Sequence, residues 1–184
     1  LNAITGRPGD TGGRGRGAAP APAATAAPGA PAPAVGGGGG GLNVQGLPIV
    51  KPPYGVLSAI NLDRGELMFQ VPHGDTPDAV RNHPALRGLT LPKTGQQGSV
   101  GLMVTKTLVI LGDPQVTTTP EHPRGAMLRA YDKQTGNQVG GVWMPAPQSG
   151  SPMTYALDGQ QYIVIAVSGG AYSGEYLAFR LPGQ

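Results

Sequence analysis

His73 and Asp75 are the first candidates for chemistry in this sequence, because they lie two positions apart in the run VPHGDTPD. A histidine and a carboxylate in one loop could act as an acid–base pair or bind a metal ion. His83 and His122 each precede a proline and lie elsewhere along the chain. A metal site needs several convergent ligands, and nothing in the spacing brings these residues together. The sequence therefore favours the interpretation that all four are ordinary polar residues of surface loops, and we predict no metal ligand.

Trp143 is the only tryptophan, and its indole ring could stack on a planar cofactor. It lies on a predicted strand that returns after a turn, where a large aromatic ring buries much surface by packing between neighbouring sheets. Packing is the favoured interpretation. The sequence contains no Gly-rich phosphate loop, nucleophile elbow or paired-carboxylate motif. We therefore predict no catalytic residue in this stretch.

Composition divides the chain into two parts. Glycine and proline make up 52 of the 184 residues, and they are densest at the amino-terminal end. Residues 1–44 lack an apolar period and cannot bury enough surface to offset the entropy of ordering, so we predict a disordered linker or insertion there. Residues 45–184 read as a globular domain. Since the sequence opens on Leu1 and carries no recognisable signal peptide, we expect a piece of a longer protein.

Charge and cysteine content exclude several classes of function. The net charge is only +3, and no cluster of lysine and arginine with interleaved aromatics is present, so nucleic-acid binding is not expected. The absence of cysteine excludes disulfides and thiolate metal sites. No apolar run approaches the ~18 residues of a membrane-spanning helix.

Short apolar runs separated by turn residues predict antiparallel β-structure through most of the globular part. Asp158-Gly159 is a strong hairpin signal, because both central residues of a type I′ turn need positive φ. A short helix is predicted from Pro77 to Arg81, with Thr76 as its N-cap. The predicted strands are Tyr54–Leu62, Leu67–Val71, Gly101–Val104, Thr107–Leu111, Met127–Tyr131, Val139–Met144, Met153–Leu157, Gln161–Val167 and Glu175–Leu181.

An internal repeat indicates how these strands assemble. Residues 57–61 (LSAIN) align with residues 128–132 (LRAYD), and Gly65 then aligns with Gly136. The returning strands also match, with one extra residue in the second copy, and residues 176–179 form a third partial copy. Copies of an apolar strand, a glycine turn and an apolar return at a spacing of roughly 40–50 residues are typical of propeller blades. The second and third copies are 48 residues apart, whereas the first and second are 71 apart, with the surplus in residues 73–97. We predict an all-β fold, a partial β-propeller of about two four-stranded antiparallel blades.

The same segments resemble a known family. The run AYDKQTGNQVGGVWMPAPQSGSPMTYALDGQQYIVIAVSGG closely resembles the C-terminal blades of the pyrroloquinoline quinone (PQQ)-dependent dehydrogenases, and is most similar to the membrane-type quinoprotein glucose dehydrogenases. The segments PPYGVLSAINLDRGELMFQVPHGDTPD and GLMVTKTLVILGD resemble that family too. The resemblance implies an eight-bladed propeller whose central funnel holds PQQ and a divalent cation, usually Ca²⁺ and otherwise Mg²⁺.

The resemblance also implies an activity. The whole enzyme would oxidise a sugar or alcohol in the periplasm, free or associated with the membrane, and pass electrons to a membrane quinone or a cytochrome. The family's catalytic aspartate, metal ligands, lysine near the quinone and stacking tryptophan are expected in earlier blades. This chain alone is therefore expected to be inactive and to need the remaining blades as partners. The open alternative is a non-enzymatic propeller-repeat scaffold that binds other proteins.

One loop could contact the cofactor. Gly98, Ser99 and Val100 lead into what would be the innermost strand of a blade, and the resemblance implies backbone contacts to PQQ near here. The flanking glycines allow a flat molecule to approach the backbone closely. The alternative is a plain lead into the strand. Ser149-Gly150-Ser151 precedes the next innermost strand in the same way.

Overall fold

The structure is a computed structural model that describes residues 42–119, 121–122, 124–169 and 171–181. The predicted disorder of residues 1–44 lies outside these residues except at its last positions, where a two-residue strand forms. No helix in the described ranges is long and apolar enough to cross a membrane. The elements are β1 (Asn43–Val44), β2 (Leu47–Pro48), β3 (Val56–Asn61), β4 (Glu66–Pro72), α1 (Asp78–Arg81), β5 (Met103–Val104), β6 (Leu108–Gly112), β7 (Ala126–Asp132), β8 (Gln138–Met144), β9 (Met153–Leu157), β10 (Gln160–Gly169) and β11 (Tyr172–Arg180).

The strands form one complete propeller blade between parts of two others. The complete blade has the order β5-β6-β7-β8, with antiparallel pairs throughout. The hairpin β3–β4 precedes it, and the three-stranded sheet β9-β10-β11 follows it. The third strand of each unit is therefore β3, β7 or β11, which are the three copies seen in the sequence. The partial-propeller prediction is confirmed.

The turns of the two longer copies agree in atomic detail. Asn61 and Asp132 each use a side-chain oxygen to accept hydrogen bonds from the backbone N–H groups two and three positions later, at 2.8–3.2 Å. Gly65 and Gly136 close the turns with φ values of +67° and +75°, which glycine adopts without strain. Both hairpins also carry a β-bulge at the same place. The repeat is thus structural as well as compositional.

The predicted extra residue in the second copy is wrong. Leu57 pairs with Val71, and Leu128 pairs with Val142, so the two hairpins share one register from the turn to their ends. Pro72 is consequently equivalent to Trp143 and not to the later proline. The mismatch arose because the sequence comparison aligned prolines, whereas the hydrogen-bond ladder sets the equivalence.

Two apolar clusters hold the three sheets together, one on each face of the complete blade. On one face, Leu57 packs with Val109, Leu111 and Tyr131. On the other face, residues from β6, β7 and β8 pack with Ile163, Ile165 and Val167 of β10 and with their neighbours. Alternate residues of β6 enter opposite clusters, as the two-residue period of a strand requires. The complete blade therefore has both faces covered.

The local turn predictions had mixed outcomes. Asp158 and Gly159 have φ values of +50° and +76°, which confirms the hairpin between β9 and β10. The helix α1 is also present, but Thr76 is not its N-cap. Pro77 takes that place, and the Thr76 hydroxyl instead donates to the carbonyl of Pro92 and accepts from the N–H of Thr94. A threonine hydroxyl bonds wherever tertiary structure offers a partner, and the loop from Pro92 supplied one.

Candidate functional site

All long connections between strands lie at one end of the sheets. Because neighbouring strands alternate in direction, the links β4–β5 (residues 73–102), β6–β7 (residues 113–125) and β8–β9 (residues 145–152) emerge on the same side. The short turns β3–β4, β5–β6, β7–β8 and β9–β10 occupy the opposite end. Binding residues in rigid β-folds concentrate on such loops. This end carries every loop residue that the sequence singled out for possible chemistry, so it is the candidate site.

His73 is buried, and both of its ring nitrogens are engaged. Nε2 lies 3.0 Å from the carbonyl oxygen of Gly112, and Nδ1 lies 3.0 Å from the phenolic oxygen of Tyr131. A carbonyl can only accept, so Nε2 carries the proton and Tyr131 donates to Nδ1. Burial lowers the pKa of His73 and raises the pKa of Tyr131 to about 12. The pair is a neutral structural link between two sheets.

Arg129 is the centre of a buried ionic network. Its Nε donates to Asp113 Oδ1 at 2.6 Å, and its Nη2 donates to Asp113 Oδ2 at 2.9 Å and to Asp75 Oδ2 at 2.8 Å. Burial opposes the charge of Arg129, but the hydrogen bonds and charge of Asp113 outweigh it, so the guanidinium pKa lies above its ordinary value. Arg129 thus binds the carboxylates of both Asp75 and Asp113, and it links the β4–β5 loop to the β6–β7 loop.

Lys93 extends this network to the surface. Its ammonium group donates to Gln138 Oε1 at 2.8 Å and lies 3.9 Å from Asp75. Partial burial, followed by repulsion from Arg129, lowers the pKa of Lys93. Beside it opens a cleft of about 430 Å³. The cleft is lined by Asp75, Thr76, Arg81, Leu89, Leu91 and Lys93.

The predicted candidates separate into different roles. His73 and Asp75 do not pair with each other, because His73 bonds to Tyr131 while Asp75 bonds to Arg129. His73 is also buried, so the prediction that it is an ordinary polar residue of a surface loop is wrong. His83 instead caps a 3₁₀ turn, accepting from the Ala85 N–H while its Nε2 lies 2.8 Å from a backbone carbonyl. Within the described ranges, no three metal-ligating side chains cluster.

Trp143 packs, as predicted, but within its own blade. Its ring stacks on the ring of His122, with centroids 4.5 Å apart and planes 25° from parallel. The indole lies so close to Gly125 that a side chain there would collide with it. The indole N–H is buried, with no acceptor among the residues that the structure describes. The indole therefore packs against the β6–β7 loop, whereas the sequence predicted that it packs against a second blade.

The loop Gly98–Val100 lies at the site end and is anchored on both sides. Gln115 Nε2 donates to the carbonyl of Gln97 at 2.7 Å, and Gln148 Nε2 donates to the carbonyl of Gly101 at 2.6 Å. The side chain of Val100 packs on the cluster around Leu57. Gly98 has a φ of +144° and lies against Pro114, so only glycine fits there.

The backbone donors of this loop are open. In the part of the chain that the structure describes, no group accepts from the N–H groups of Gly98, Ser99 or Val100. Gly98 and Ser99 are exposed. The segment Ser149–Ser151, which leads into β9, lies beside this loop, because a Cβ added at Gly101 would overlap the Ser151 side chain. The two loops that the sequence proposed separately are therefore neighbours.

Sequence reasoning missed the residues that organise the site: Arg129, Asp113, Gln115 and Gln148. The available signal was position on a strand, because Arg129 and Tyr131 lie two residues apart and share one buried face of β7. A charged residue on a buried face requires a partner. Nothing in the sequence said which of the ten acidic residues would be that partner.

Comparisons with known proteins agree with this architecture. The family described as "Glucose/ethanol/alcohol dehydrogenase, beta-propeller domain" (PQQ) matches residues 12–163. The chain is 30% identical over 151 residues to a probable quinate dehydrogenase (quinone) of Xanthomonas campestris pv. juglandis, covering 77% of this chain and 17% of that protein. It is 30% identical over 146 residues to quinoprotein glucose dehydrogenase A of Acinetobacter calcoaceticus, again covering 77% and 17%.

A third relative is named for a different substrate. The chain is 29% identical over 126 residues to the glycerol dehydrogenase large subunit of Gluconobacter oxydans, covering 67% of this chain and 16% of that subunit. The chain thus spans about a sixth of the length of these relatives. With one complete blade, two partial blades and a family match over most of its residues, the chain belongs to the PQQ-dependent glucose/ethanol/alcohol dehydrogenase β-propeller family.

Proposed function

We propose that this chain forms the C-terminal blades of a PQQ-dependent dehydrogenase that oxidises a sugar or alcohol. The observation that carries the proposal is the arrangement of the loops. A complete blade between two partial ones brings the open Gly98–Val100 loop beside the Ser149–Ser151 loop, in a chain of this family. Flat cofactors bind where exposed backbone donors meet small side chains that permit close approach.

The loop residues fit a polar planar quinone. The N–H groups of Gly98, Ser99 and Val100 can donate to quinone or carboxylate oxygens, and the packed side chain of Val100 keeps that backbone in place. PQQ, when bound, supplies the two-electron acceptor for oxidation of a hydroxyl-bearing carbon. The chain's own part is to bind and orient, since the described residues offer no cluster of cation ligands. The ligands for Ca²⁺ or Mg²⁺ and the catalytic carboxylate would come from the other blades.

The names of the relatives support a proposal for the substrate class. Quinate, glucose and glycerol, named for three of them, all carry several hydroxyl groups. We propose a polyhydroxylated sugar or alcohol as substrate, oxidised in the periplasm. A membrane quinone or a cytochrome would receive the electrons. The remaining blades of the same protein are the obligatory partners of this chain.

Residues 1–44 are proposed to be a disordered linker or an insertion beside the blades. The family match begins at residue 12, within the Gly- and Pro-rich segment, which supports an insertion next to propeller sequence. Hydrogen exchange of the full-length protein would test this. Amides protected across this segment would contradict it.

The function is tested with the full-length protein, purified without cofactor. We expect saturable PQQ binding in the presence of Ca²⁺, followed by reduction of an artificial electron-acceptor dye with glucose, glycerol or quinate. A protein that binds PQQ and oxidises none of the polyols or simple alcohols would refute the substrate class. A protein that binds no PQQ would instead support the scaffold alternative.

A further inference from the structure

Gln148 joins three segments at the site end of the sheets. Its side chain is almost fully buried, with 7% of the residue exposed. Its Oε1 accepts from the N–H of Gly112 at the end of β6, and its Nε2 donates to the carbonyl of Gly101 at 2.6 Å. Its own backbone N–H donates to the carbonyl of Asp113 at 3.1 Å. One residue therefore ties the β8–β9 connection to the end of β6 and to the loop before β5.

The bonding pattern requires a neutral amide. Gly112 offers a donor and Gly101 offers an acceptor, so the side chain must accept at one atom and donate at the other. A carboxylate of the same shape could satisfy Gly112 but would face the Gly101 carbonyl with a second acceptor. Glycine at position 112 allows this close approach, because a Cβ there would press on the Gln148 side chain. The geometry is specific to glutamine at this position.

The Gly101 carbonyl is one of two fixed points of the open loop. Gln115 holds the carbonyl of Gln97 on the other side, at 2.7 Å. Between these anchors lie Gly98, Ser99 and Val100, whose backbone donors find no acceptor among the described residues. Moving either anchor must move those donors, because three residues between fixed ends have few alternative paths.

We propose that Gln148 is a positioning residue for quinone binding: its amide sets the placement of the Gly98–Val100 backbone donors through the Gly101 carbonyl. The inference rests on the proposed function. Gln148 itself touches no cofactor in this role. It acts by holding the loop, together with Gln115, so that the donors meet PQQ without first being ordered. Preorganised donors bind more tightly because ordering costs are already met in the free protein.

The test compares two isosteric substitutions in the full-length protein. Gln148→Glu keeps the acceptor for Gly112 and loses the donor to Gly101. Gln160→Glu is the matched control, because Gln160 Nε2 also donates to a backbone carbonyl, that of Leu181 at 2.6 Å, but at the opposite end of the sheet. Binding of PQQ to the cofactor-free protein is measured by calorimetry, with the absorption spectrum of bound PQQ as a second readout.

We expect Gln148→Glu to weaken PQQ binding by about tenfold and to shift the bound PQQ spectrum, since a lost buried hydrogen bond has a cost of this order. Gln160→Glu should leave both unchanged, even if the two variants lower the melting temperature equally. A melting shift without a change in affinity or spectrum would overturn the inference. PQQ binding by the wild type with unaltered binding by Gln148→Glu would do so while leaving the proposed function intact. Absence of binding by the wild type would overturn both.

A second variant covers the case in which Gln148→Glu does not fold. Gln115→Ala removes the other anchor, and Gln115 is only partly buried, so folding should be preserved. We expect about threefold to tenfold weaker PQQ binding, because the loop then has one fixed end. An affinity equal to that of the wild type would refute the anchoring of this loop.

Discussion

Arg129 and Asp113 form a two-bond ion pair that is closed to solvent. Nε to Oδ1 measures 2.6 Å and Nη2 to Oδ2 measures 2.9 Å, and the side chains are 4% and 0% exposed. Asp75, from the loop after β4, completes the network at 2.8 Å from Nη2. The contact between Arg129 and Asp75 therefore joins the complete blade to the loop after the preceding hairpin, at the end that carries the candidate site.

Replacing Arg129 should destabilise the protein strongly. Arg129→Met leaves the buried Asp113 carboxylate without its cation, and the loss of one member of a buried pair costs about 3–5 kcal/mol. Arg129→Lys should recover only part of this, because an ammonium group cannot reproduce the parallel fork geometry. Denaturant unfolding of the full-length protein measures the free energy of unfolding of both variants.

Arg64→Met is the control for the preceding prediction. Arg64 lies 3.9 Å from Glu66 in an ion pair whose side chains are largely exposed. Such surface pairs contribute about 0–1 kcal/mol. Equal losses from Arg129→Met and Arg64→Met would contradict the structural role of the buried network.

His73 makes stability depend on pH. Its pKa in the folded protein lies below the unfolded value of 6.5, chiefly through burial. The unfolded state therefore binds more protons below that pH, and the contribution of His73 is full above pH 6.5 and is lost as the pH falls below it. The charges around the ring are Asp113, which favours protonation, and Arg129 and Lys93, which oppose it.

The melting temperature of the full-length protein between pH 8 and pH 5 tests this prediction. The wild type should lose stability below about pH 6.5. His73→Gln should be less stable at pH 8, because glutamine cannot match both contacts, but its melting temperature should fall less between pH 7 and pH 5. Parallel curves for the two proteins would assign the pH dependence to other groups.

The isolated 184-residue chain should not catalyse sugar or alcohol oxidation. General-base and cation roles are needed for the reaction, and the described residues contain no cluster of three metal ligands. Dye reduction by the purified chain, with PQQ and Ca²⁺ supplied, is the measurement. A PQQ-dependent rate above the no-protein control would contradict the prediction and place a complete site in this chain.

Tyr155 marks the open face of the last sheet. It is 40% exposed and stacks on Tyr162 with ring centroids 5.1 Å apart. If a neighbouring blade covers this face, Tyr155→Lys buries an unpaired charge in the full-length protein and should cost at least about 1–3 kcal/mol. In the isolated chain the same change should lie within about 0.5 kcal/mol.

Leu62→Lys is the matched control, because Leu62 is 90% exposed in the turn between β3 and β4. This substitution should leave the free energy of unfolding unchanged in both the full-length protein and the isolated chain. The isolated wild-type chain, with its open faces, should melt below about 65 °C. Equal effects of Tyr155→Lys in the two proteins would show that nothing covers this face.

Local residue patterns were enough to predict most of the strands, the main hairpin turns and the repeat. These features depend on local chemistry: Asp158-Gly159 accepts two positive φ values, and Gly65 and Gly136 close equivalent turns. Apolar residues at alternate positions define a strand face without reference to any distant residue. The family resemblance rested on the same local runs, and it was confirmed for that reason.

The contacts between distant polar residues depend on the tertiary structure. His73 and Tyr131 are 58 positions apart, Arg129 and Asp75 are 54 apart, and Gln148 and Gly101 are 47 apart. Side-chain type shows that a buried arginine or histidine needs a partner, but the partner is selected by sheet register and by the packing of one blade on the next. Those are long-range properties, which no local pattern of residues encodes.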